Sequence, residues 1–133
     1  MRLEITRRAD LAARAVVILA RQPGRMKAAD LAQALDTSAG FVPQVLGPLV
    51  ERGWVTSVPG PTGGYQTGVA PDGLSVLDVI EAVEGPTDTG RCVVVDRPCS
   101  EAGHCTLHHP WARARADLLD ELARTSLIDL EVP

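Results

Sequence analysis

The cysteines and histidines of this chain are concentrated in one short segment, residues 92–109. These eighteen residues contain all three cysteines and all three histidines of the 133-residue sequence. Cys92, Cys99, Cys105 and His108 give the spacing Cys-x6-Cys-x5-Cys-x2-His. Thiolate and imidazole groups are the side chains that bind zinc and iron–sulfur clusters. The segment is therefore predicted to be a metal-binding loop.

The residues alone leave the kind of centre open. Three thiols leave a tetrahedral site one ligand short, and His108 lies close enough along the chain to complete it. Structural zinc sites usually contain a cysteine pair separated by about two to four residues, and this loop has none. Wide spacing favours an iron–sulfur cluster. A catalytic Cys–His pair would not need three cysteines, and no Asp or Asn is clearly placed to orient a base. A cluster, a zinc ion and free thiols remain the alternatives.

The overall composition is that of an ordinary globular domain. Apolar residues make up 45% and charged residues 23% of the chain, whereas aromatic residues make up only 3%, so the core must be built from Ala, Leu and Val. No apolar run approaches the ~20 residues of a membrane span, and Arg2 and Glu4 are charged where a signal peptide would be apolar. We expect a cytoplasmic protein with no membrane contact. In that compartment, an odd number of cysteines argues against a disulfide framework.

The net charge of −4 conceals an asymmetry between the two halves of the chain. Residues 1–59 contain eight Arg or Lys and five acidic residues, which gives a net charge of +3. Residues 60–133 contain five and twelve, which gives −7. A basic first half joined to an acidic second half is typical of a nucleic-acid-binding module followed by a module of another kind.

Apolar periodicity predicts three helices in the first half. The first helix begins after a cap at Thr6, carries apolar residues at helical spacing, and ends at residues 22–24. The second covers residues 27–35. A turn at residues 36–38 supplies a new N-cap, and the third helix covers residues 39–52.

A β-hairpin is predicted directly after these helices. Residues 54–58 alternate and are rich in β-branched side chains, residues 59–64 form a Pro- and Gly-rich turn, and residues 65–67 return as a second strand. Helix, helix, turn, helix and hairpin in this order indicate a winged helix-turn-helix. Such a fold places its third helix in the DNA major groove and its hairpin along the DNA backbone.

Two further helices are predicted in the second half. Residues 74–83 form one, capped by Ser75 or Asp72. Pro110 suits the first turn of a long helix that ends at Arg124. This helix has an apolar face that either packs in the core or pairs with a second copy of the chain; the face is formed by Trp111, Leu118 and Leu122. The predicted protein is thus mostly α-helical with a small β wing. Its predicted units are the DNA-binding domain (1–68), a linking helix (69–87), the cluster-binding loop (88–109) and a dimerisation helix with a tail (110–133).

Taken together, these motifs resemble the Rrf2 family of winged-helix transcription regulators, the group that includes IscR-like and NsrR-like iron–sulfur sensors. The resemblance covers nearly the whole chain and is carried by the Met1-Arg-Leu start, the Gly60-Pro-Thr-Gly-Gly-Tyr wing, residues 74–83, the three-cysteine loop and residues 125–130. It implies a homodimer that binds palindromic operator DNA, with no small-molecule substrate, and that holds an iron–sulfur cluster.

The resemblance also implies ligands for this cluster. Cys92, Cys99 and Cys105 match the family's cysteine ligands. In IscR-like members the fourth ligand of a 2Fe–2S cluster is a His that corresponds to His108. In NsrR-like members an Asp from the partner subunit completes a 4Fe–4S cluster, and Asp10 is the matching residue. His108 favours the 2Fe–2S form, although six residues between the first two cysteines, where five is common, weaken this inference. His104 and His109 are expected to be solvated loop residues.

The expected DNA-binding surface contains few cations. Pro59 replaces a basic residue found in many relatives before the wing, and the third helix contains Pro43 and Pro48. Base reading is expected from Thr37, Ser38 and Gln44, of which Gln44 suits adenine. Anchoring to the DNA backbone is expected from the basic residues Arg2, Arg7, Arg8, Arg25, Lys27 and Arg52, and the wing should contribute Gly60, Gly63, Gly64 and Tyr65.

We therefore predict a transcription regulator, and specifically a repressor, that responds to redox state, iron–sulfur status or nitric oxide. The alternative is a winged-helix DNA-binding or protein-docking module whose loop holds structural zinc or nothing. No poised acid–base constellation is recognisable, so the chain is not expected to be an enzyme.

Overall fold

A computed structural model describes residues 1–95, 97–99, 103 and 105–132 of the chain. Within these residues the chain forms five α-helices and one two-stranded antiparallel sheet. In chain order these are α1 (Arg7–Ala20), α2 (Ala28–Leu35), α3 (Val42–Glu51), β1 (Val55–Val58), β2 (Gly64–Thr67), α4 (Val76–Glu84) and α5 (His108–Arg124). Short 3₁₀ turns lie at Pro71–Gly73 and Leu127–Asp129. The predicted winged helix-turn-helix with a long C-terminal helix is confirmed.

Helix α1 lies at the centre of the fold. The Thr6 side chain accepts a hydrogen bond from the backbone N–H of Ala9 (3.1 Å), as the sequence predicted for an N-cap. Most of the residues of α1 are buried, and the helix packs against α2, α3 and α4. Because α1 contacts all three, it fixes α2 and α3 relative to the second half of the chain.

Helix α3 begins later than predicted. Ala39–Phe41 form a turn in which the N–H of Phe41 donates to the carbonyl of Ser38 (3.0 Å), and no side chain caps the helix, so the predicted N-cap at residues 36–38 is wrong. With the helix starting at Val42, Pro43 falls in its first turn, where a missing N–H is tolerated. Pro48 lies inside the helix.

The wing is anchored to the rest of the domain by its second strand. Strands β1 and β2 pair in the register Val55↔Thr67 to Val58↔Gly64. Tyr65 also exchanges two 2.8 Å backbone hydrogen bonds with Met26, which lies between α1 and α2. This second pairing was not predicted, and it holds the wing against the start of α2.

Helices α4 and α5 form an antiparallel pair that is joined at both ends. Ser75 and Asp78 form a reciprocal capping box at the start of α4, so Ser75 and not Asp72 is the cap. The N–H of Val76 donates to the carbonyl of Thr125 (2.8 Å) at the end of α5. Helix α5 begins at His108, two residues before the predicted start at Pro110. The cysteine loop therefore connects the other two ends of the pair.

The core is aliphatic, as the composition predicted. Its fully buried larger side chains are Leu11, Leu19, Leu31, Leu46, Leu49, Leu127, Val16, Val42, Val45, Val55 and Val79. In the part of the chain that the structure describes, every helix is too short or too polar to cross a membrane.

Candidate functional site

The three cysteine side chains lie close together in space. The Sγ atoms of Cys92, Cys99 and Cys105 all lie within 4.8 Å of one another, and those of Cys92 and Cys105 are 3.7 Å apart. All three thiols are half-buried and unbridged. Side chains that are separated by up to thirteen positions in the sequence thus form one group of soft ligands.

Backbone hydrogen bonds fold the loop around Cys92. The N–H of Cys92 donates to the carbonyl of Arg97 (2.8 Å), and Arg91 forms a β-bridge with Pro98, so the chain reverses between Cys92 and Cys99. Inside this reversal, the N–H of Val94 points at the Cys92 sulfur (3.4 Å). The geometry presents Cys92 and Cys99 on the same side of the loop.

These surroundings distinguish two of the thiols. Backbone N–H groups of Val94 and Val95 donate to the Cys92 sulfur and lower the pKa of this thiol to about 7, because hydrogen bonds favour the thiolate. Partial burial, and then the interaction with Cys92, raise the pKa of the Cys99 thiol. Cys92 is therefore expected to be the better nucleophile in the metal-free protein.

One face of α5 closes the cysteine site. The three cysteines open into a cavity of about 190 Å³. Its helical wall consists of residues at i, i+3, i+4 and i+7, which share one face of a helix; they are His108, Trp111, Ala112 and Arg115. Because the loop and α5 enclose the same cavity, a ligand bound there would contact both.

The candidate fourth ligands differ in their positions. His108 is the first residue of α5 and lines the cavity, and its ring lies edge-on to that of His109, with 5.2 Å between the ring centroids. Asp10 accepts a hydrogen bond from Arg14 Nε (3.1 Å) in the first turn of α1. His109 is exposed on α5 rather than in the loop. His104 lies outside the described residues.

Two contacts that sequence analysis did not single out anchor the start of the loop. Glu81 Oε2 of α4 accepts a hydrogen bond from the N–H of Thr87 (2.6 Å), and Asp88 Oδ1 forms a 3.3 Å ion pair with Arg115 of α5. Asp88 Oδ1 also accepts from the N–H of Gly90 (3.0 Å). The segment that leads into Cys92 is thus attached to both helices. In the sequence, the one indication of the Arg115 contact was that Arg115 lies seven residues after His108, so that both residues share one face of a helix.

The residues expected to read DNA bases are accessible. Ser38 is exposed and Thr37 half-buried in the turn between α2 and α3, and Gln44 is exposed on the first half of α3. This is the part of a helix-turn-helix that approaches base edges. Their role in binding stays a prediction.

Three of the expected backbone anchors already have partners inside the chain. Arg7 donates to the carbonyl of Asp36 (3.2 Å) and Arg8 to that of Val83 (2.8 Å). The guanidinium of Arg52 lies over the Trp54 ring, 5.5 Å from its centroid. These contacts give the three arginines structural roles that sequence analysis missed. Arg2, Arg25 and Lys27 are exposed.

The wing glycines have a structural function. A Cβ atom on Gly63 would lie 1.9 Å from the carbonyl oxygen of Val58, and one on Gly64 would lie 2.6 Å from that of Met26. Gly64 also has φ of +138°, a conformation that side chains other than glycine rarely adopt. Gly60, at φ +96°, has open space around it.

The apolar face of α5 lines two different depressions. Trp111 contributes to the cysteine cavity, whereas Leu118 and Leu122 line a separate groove of about 410 Å³. Exposed Leu3 and Ile5 of the N-terminal segment line the same groove. None of the residues of α5, all of which are described, is fully buried. The helix therefore packs on the edge of the core, through the partly buried Leu122.

Comparison with known proteins identifies the family. Residues 5–132 match the model of the Rrf2 family, described as an iron-dependent transcriptional regulator. The chain is 32% identical to the HTH-type transcriptional regulator IscR of Aliivibrio salmonicida over 87% of this chain and 68% of that protein. It is 31% identical to IscR of Erwinia tasmaniensis over 98% and 78%. These relatives are regulators and not enzymes.

Solved structures give the same result. The structure of CymR, the global cysteine regulator of B. subtilis, superimposes with a TM-score of 0.75 at 28% identity, over 96% of this chain and 95% of that one. IscR of T. potens has the same fold, with a TM-score of 0.73 at 21% identity over 96% and 85%. Because the family model matches almost the whole length of the chain, and the relatives at 31–32% identity are transcriptional regulators, the chain belongs to the Rrf2 family of transcriptional regulators.

Proposed function

We propose that this chain is a DNA-binding repressor whose operator binding depends on an iron–sulfur cluster. The observation that carries the proposal is the convergence of the Cys92, Cys99 and Cys105 sulfur atoms, within 4.8 Å of one another, on a cavity closed by α5. Three thiols around a common space are a donor set that fits such a cluster. When bound, the cluster would supply a centre that responds to redox state, iron–sulfur status or nitric oxide.

His108 is the proposed fourth ligand, which favours a 2Fe–2S over a 4Fe–4S cluster. Its support is its place on the cavity wall, one turn from Cys105. Asp10 of a partner subunit is the alternative. That role would compete with the ion pair between Asp10 and Arg14.

Communication between the loop and DNA is proposed to run through α5. The end of α5 is fixed to the start of α4 by the Val76–Thr125 hydrogen bond, whereas its beginning borders the cysteine cavity. A change in the loop would therefore move the beginning of α5 more than its end. Helix α4 in turn packs on α1 and α3, so α5 is linked to the recognition helix by direct packing.

A homodimer is proposed to turn this movement into a change of DNA affinity. Leu118 and Leu122 on α5, together with Leu3 and Ile5, offer an apolar groove to a second copy. In a dimer, the two α3 helices must be separated by about one DNA turn, ~34 Å, to enter successive major grooves. A loop that fixes or releases α5 would bias the pair between fitting and non-fitting arrangements.

The test is operator binding by loaded and cluster-depleted protein, beside a Cys99→Ala variant. An operator is first selected from random DNA duplexes with anaerobically purified protein. The wild type should change its affinity for that operator by at least about tenfold when the cluster is removed. The Cys99→Ala variant should show one affinity under both conditions. Equal affinities of loaded and depleted wild type would contradict the proposal.

A structural zinc site is the second candidate, because the three sulfur atoms lie close enough together, within 4.8 Å of one another, to bind a single metal ion. Two thiolates on one tetrahedral zinc, each at about 2.3 Å, are separated by about 3.8 Å, close to the 3.7 Å between Cys92 and Cys105. In that case the loop would be a fixed structural element of a constitutive DNA-binding or protein-docking module. Colourless protein that contains one zinc per chain after anaerobic purification with iron supplied would support the zinc site over the cluster.

A further inference from the structure

The Arg115–Asp88 ion pair joins the cysteine loop to α5 at the cavity itself. Arg115 Nη1 lies 3.3 Å from Asp88 Oδ1, and the Arg115 side chain is only 22% exposed, compared with 59% for Asp88. Both residues line the cavity that contains the three thiols. A long cationic side chain is thus held mostly out of solvent beside a group of potential anions.

Asp88 connects this arginine to the chain leading into the first cysteine. Its Oδ1 atom accepts from the N–H of Gly90 as well as from Arg115, so the carboxylate fixes the turn two residues before Cys92. Thr87, the preceding residue, is held by Glu81 of α4. The position of Cys92 relative to α5 therefore depends on Asp88 and Arg115 together.

The charge of Arg115 also suits this place. Metal-binding cysteines must be deprotonated, so a loaded site gathers up to three negative charges. Of the described residues around the cavity, Arg91 and Arg115 are the cations, and Arg91 is exposed. A guanidinium keeps its charge at any physiological pH. Water screens the interaction of this charge with the thiolates less strongly where the side chain is shielded from solvent.

We propose that Arg115 is a positioning residue for the thiol centre, which holds the loop against α5 through Asp88 and places a permanent positive charge beside the three thiolates. The inference rests on the proposed function in that the cysteines bind a metal. It adds a residue from outside the ligand set that controls how tightly they do so. It also makes the Arg115–Asp88 ion pair one connection between the loop and α5, in addition to the direct chain link from Cys105 to His108.

The test uses Co²⁺ alone as the probe of the metal-free full chain. Wild type should give thiolate-to-cobalt absorption bands. Arg115→Gln should weaken Co²⁺ binding about tenfold because both charge and tether are lost. Asp88→Asn, which keeps the cation and replaces the ion pair with a weaker hydrogen bond to a neutral amide, should weaken it about threefold. Arg115→Lys, which keeps the charge, should bind within about threefold of wild type. Arg113→Gln is the matched control, since Arg113 is exposed on the same helix and does not line the cavity.

A second readout is independent of metal binding. The rate of iodoacetamide alkylation of the metal-free thiols at neutral pH should fall in Arg115→Gln and be restored in Arg115→Lys. Circular dichroism must show the same helix content in all variants. If Arg115→Gln does not fold, Arg115→Lys and Asp88→Asn are compared with the wild type instead, and wild-type Co²⁺ binding by Asp88→Asn would overturn the proposal. Wild-type behaviour of Arg115→Gln, or an equal loss in Arg113→Gln, would overturn the role of Arg115 and leave the metal site intact. Absence of cobalt–thiolate bands in the wild type would instead refute the metal site.

Discussion

The N–H of Leu127 donates to the carbonyl of Leu74 over 3.0 Å, so a residue three positions after α5 is tied to a residue two positions before α4. The Leu127 side chain is fully buried in the core at the same place. This junction fixes the end of the α4–α5 pair that lies opposite the cysteine loop. It is the point about which α5 would move in the proposed mechanism.

Leu127→Ala should therefore destabilise the fold substantially. Truncating a fully buried leucine leaves a cavity and costs about 3 kcal/mol. Ile128→Ala is the matched control, because the neighbouring Ile128 side chain is 60% exposed, and its free energy of unfolding should change by less than about 0.5 kcal/mol. Urea unfolding followed by circular dichroism measures both. Equal effects of the two substitutions would show that the junction is not anchored as described.

Gly64→Ala should detach the wing. The new Cβ would meet the Met26 carbonyl at 2.6 Å, and φ is +138°, so strain and steric clash together should cost about 3 kcal/mol. Gly60→Ala shares a positive φ but has open space around it, and about 1 kcal/mol is expected. Thermal unfolding compares the two variants. If Gly64→Ala is no less stable than Gly60→Ala, the Met26–Tyr65 pairing does not anchor the wing.

Gln44 and Lys27 should affect DNA binding in different ways. Gln44→Ala should weaken binding to the selected operator by about 1–3 kcal/mol and leave binding to unrelated duplexes unchanged, since a base contact is lost. Lys27→Ala should weaken binding to both and make the salt dependence shallower, since a phosphate contact is lost. Fluorescence anisotropy at several salt concentrations separates the cases. Equal losses on both kinds of DNA for Gln44→Ala would exclude it from base reading.

In the metal-free protein, Cys92 should be alkylated before Cys99. Because hydrogen bonds from Val94 and Val95 lower the pKa of Cys92 to about 7, its thiolate should reach half its full amount near that pH. The Cys99 thiolate should appear only at higher pH, because partial burial raises its pKa. Peptide mass spectrometry after short iodoacetamide pulses from pH 6 to 10 gives each profile. Faster alkylation of Cys99 than of Cys92 at pH 7 would contradict the described loop geometry.

Local signals in the sequence were sufficient for most of the fold. The Thr6 cap and the alternation in β1 act over a few residues, and each predicted its element correctly. The start of α5 was misplaced because Pro110 suits any position in a first turn, and the helix extends back to His108. Local preference alone cannot distinguish these starts.

Contacts between distant parts of the chain could not be predicted in this way. The Met26–Tyr65 pairing and the Arg8–Val83 hydrogen bond join segments that have no matching local pattern. The cysteine spacing predicted a metal-binding loop, and the structure brings the three sulfur atoms together. The spacing gave no indication that Arg115 and Asp88 would border the same cavity, because their proximity depends on how α4 and α5 pack.

Native mass spectrometry of protein purified without oxygen, combined with its absorption spectrum, tests the central claim most directly. The account predicts coloured protein with the added mass of one iron–sulfur cluster per chain, and loss of both colour and added mass in Cys99→Ala. Chains that stay empty after reconstitution with iron and sulfide, or that carry only zinc, would contradict it.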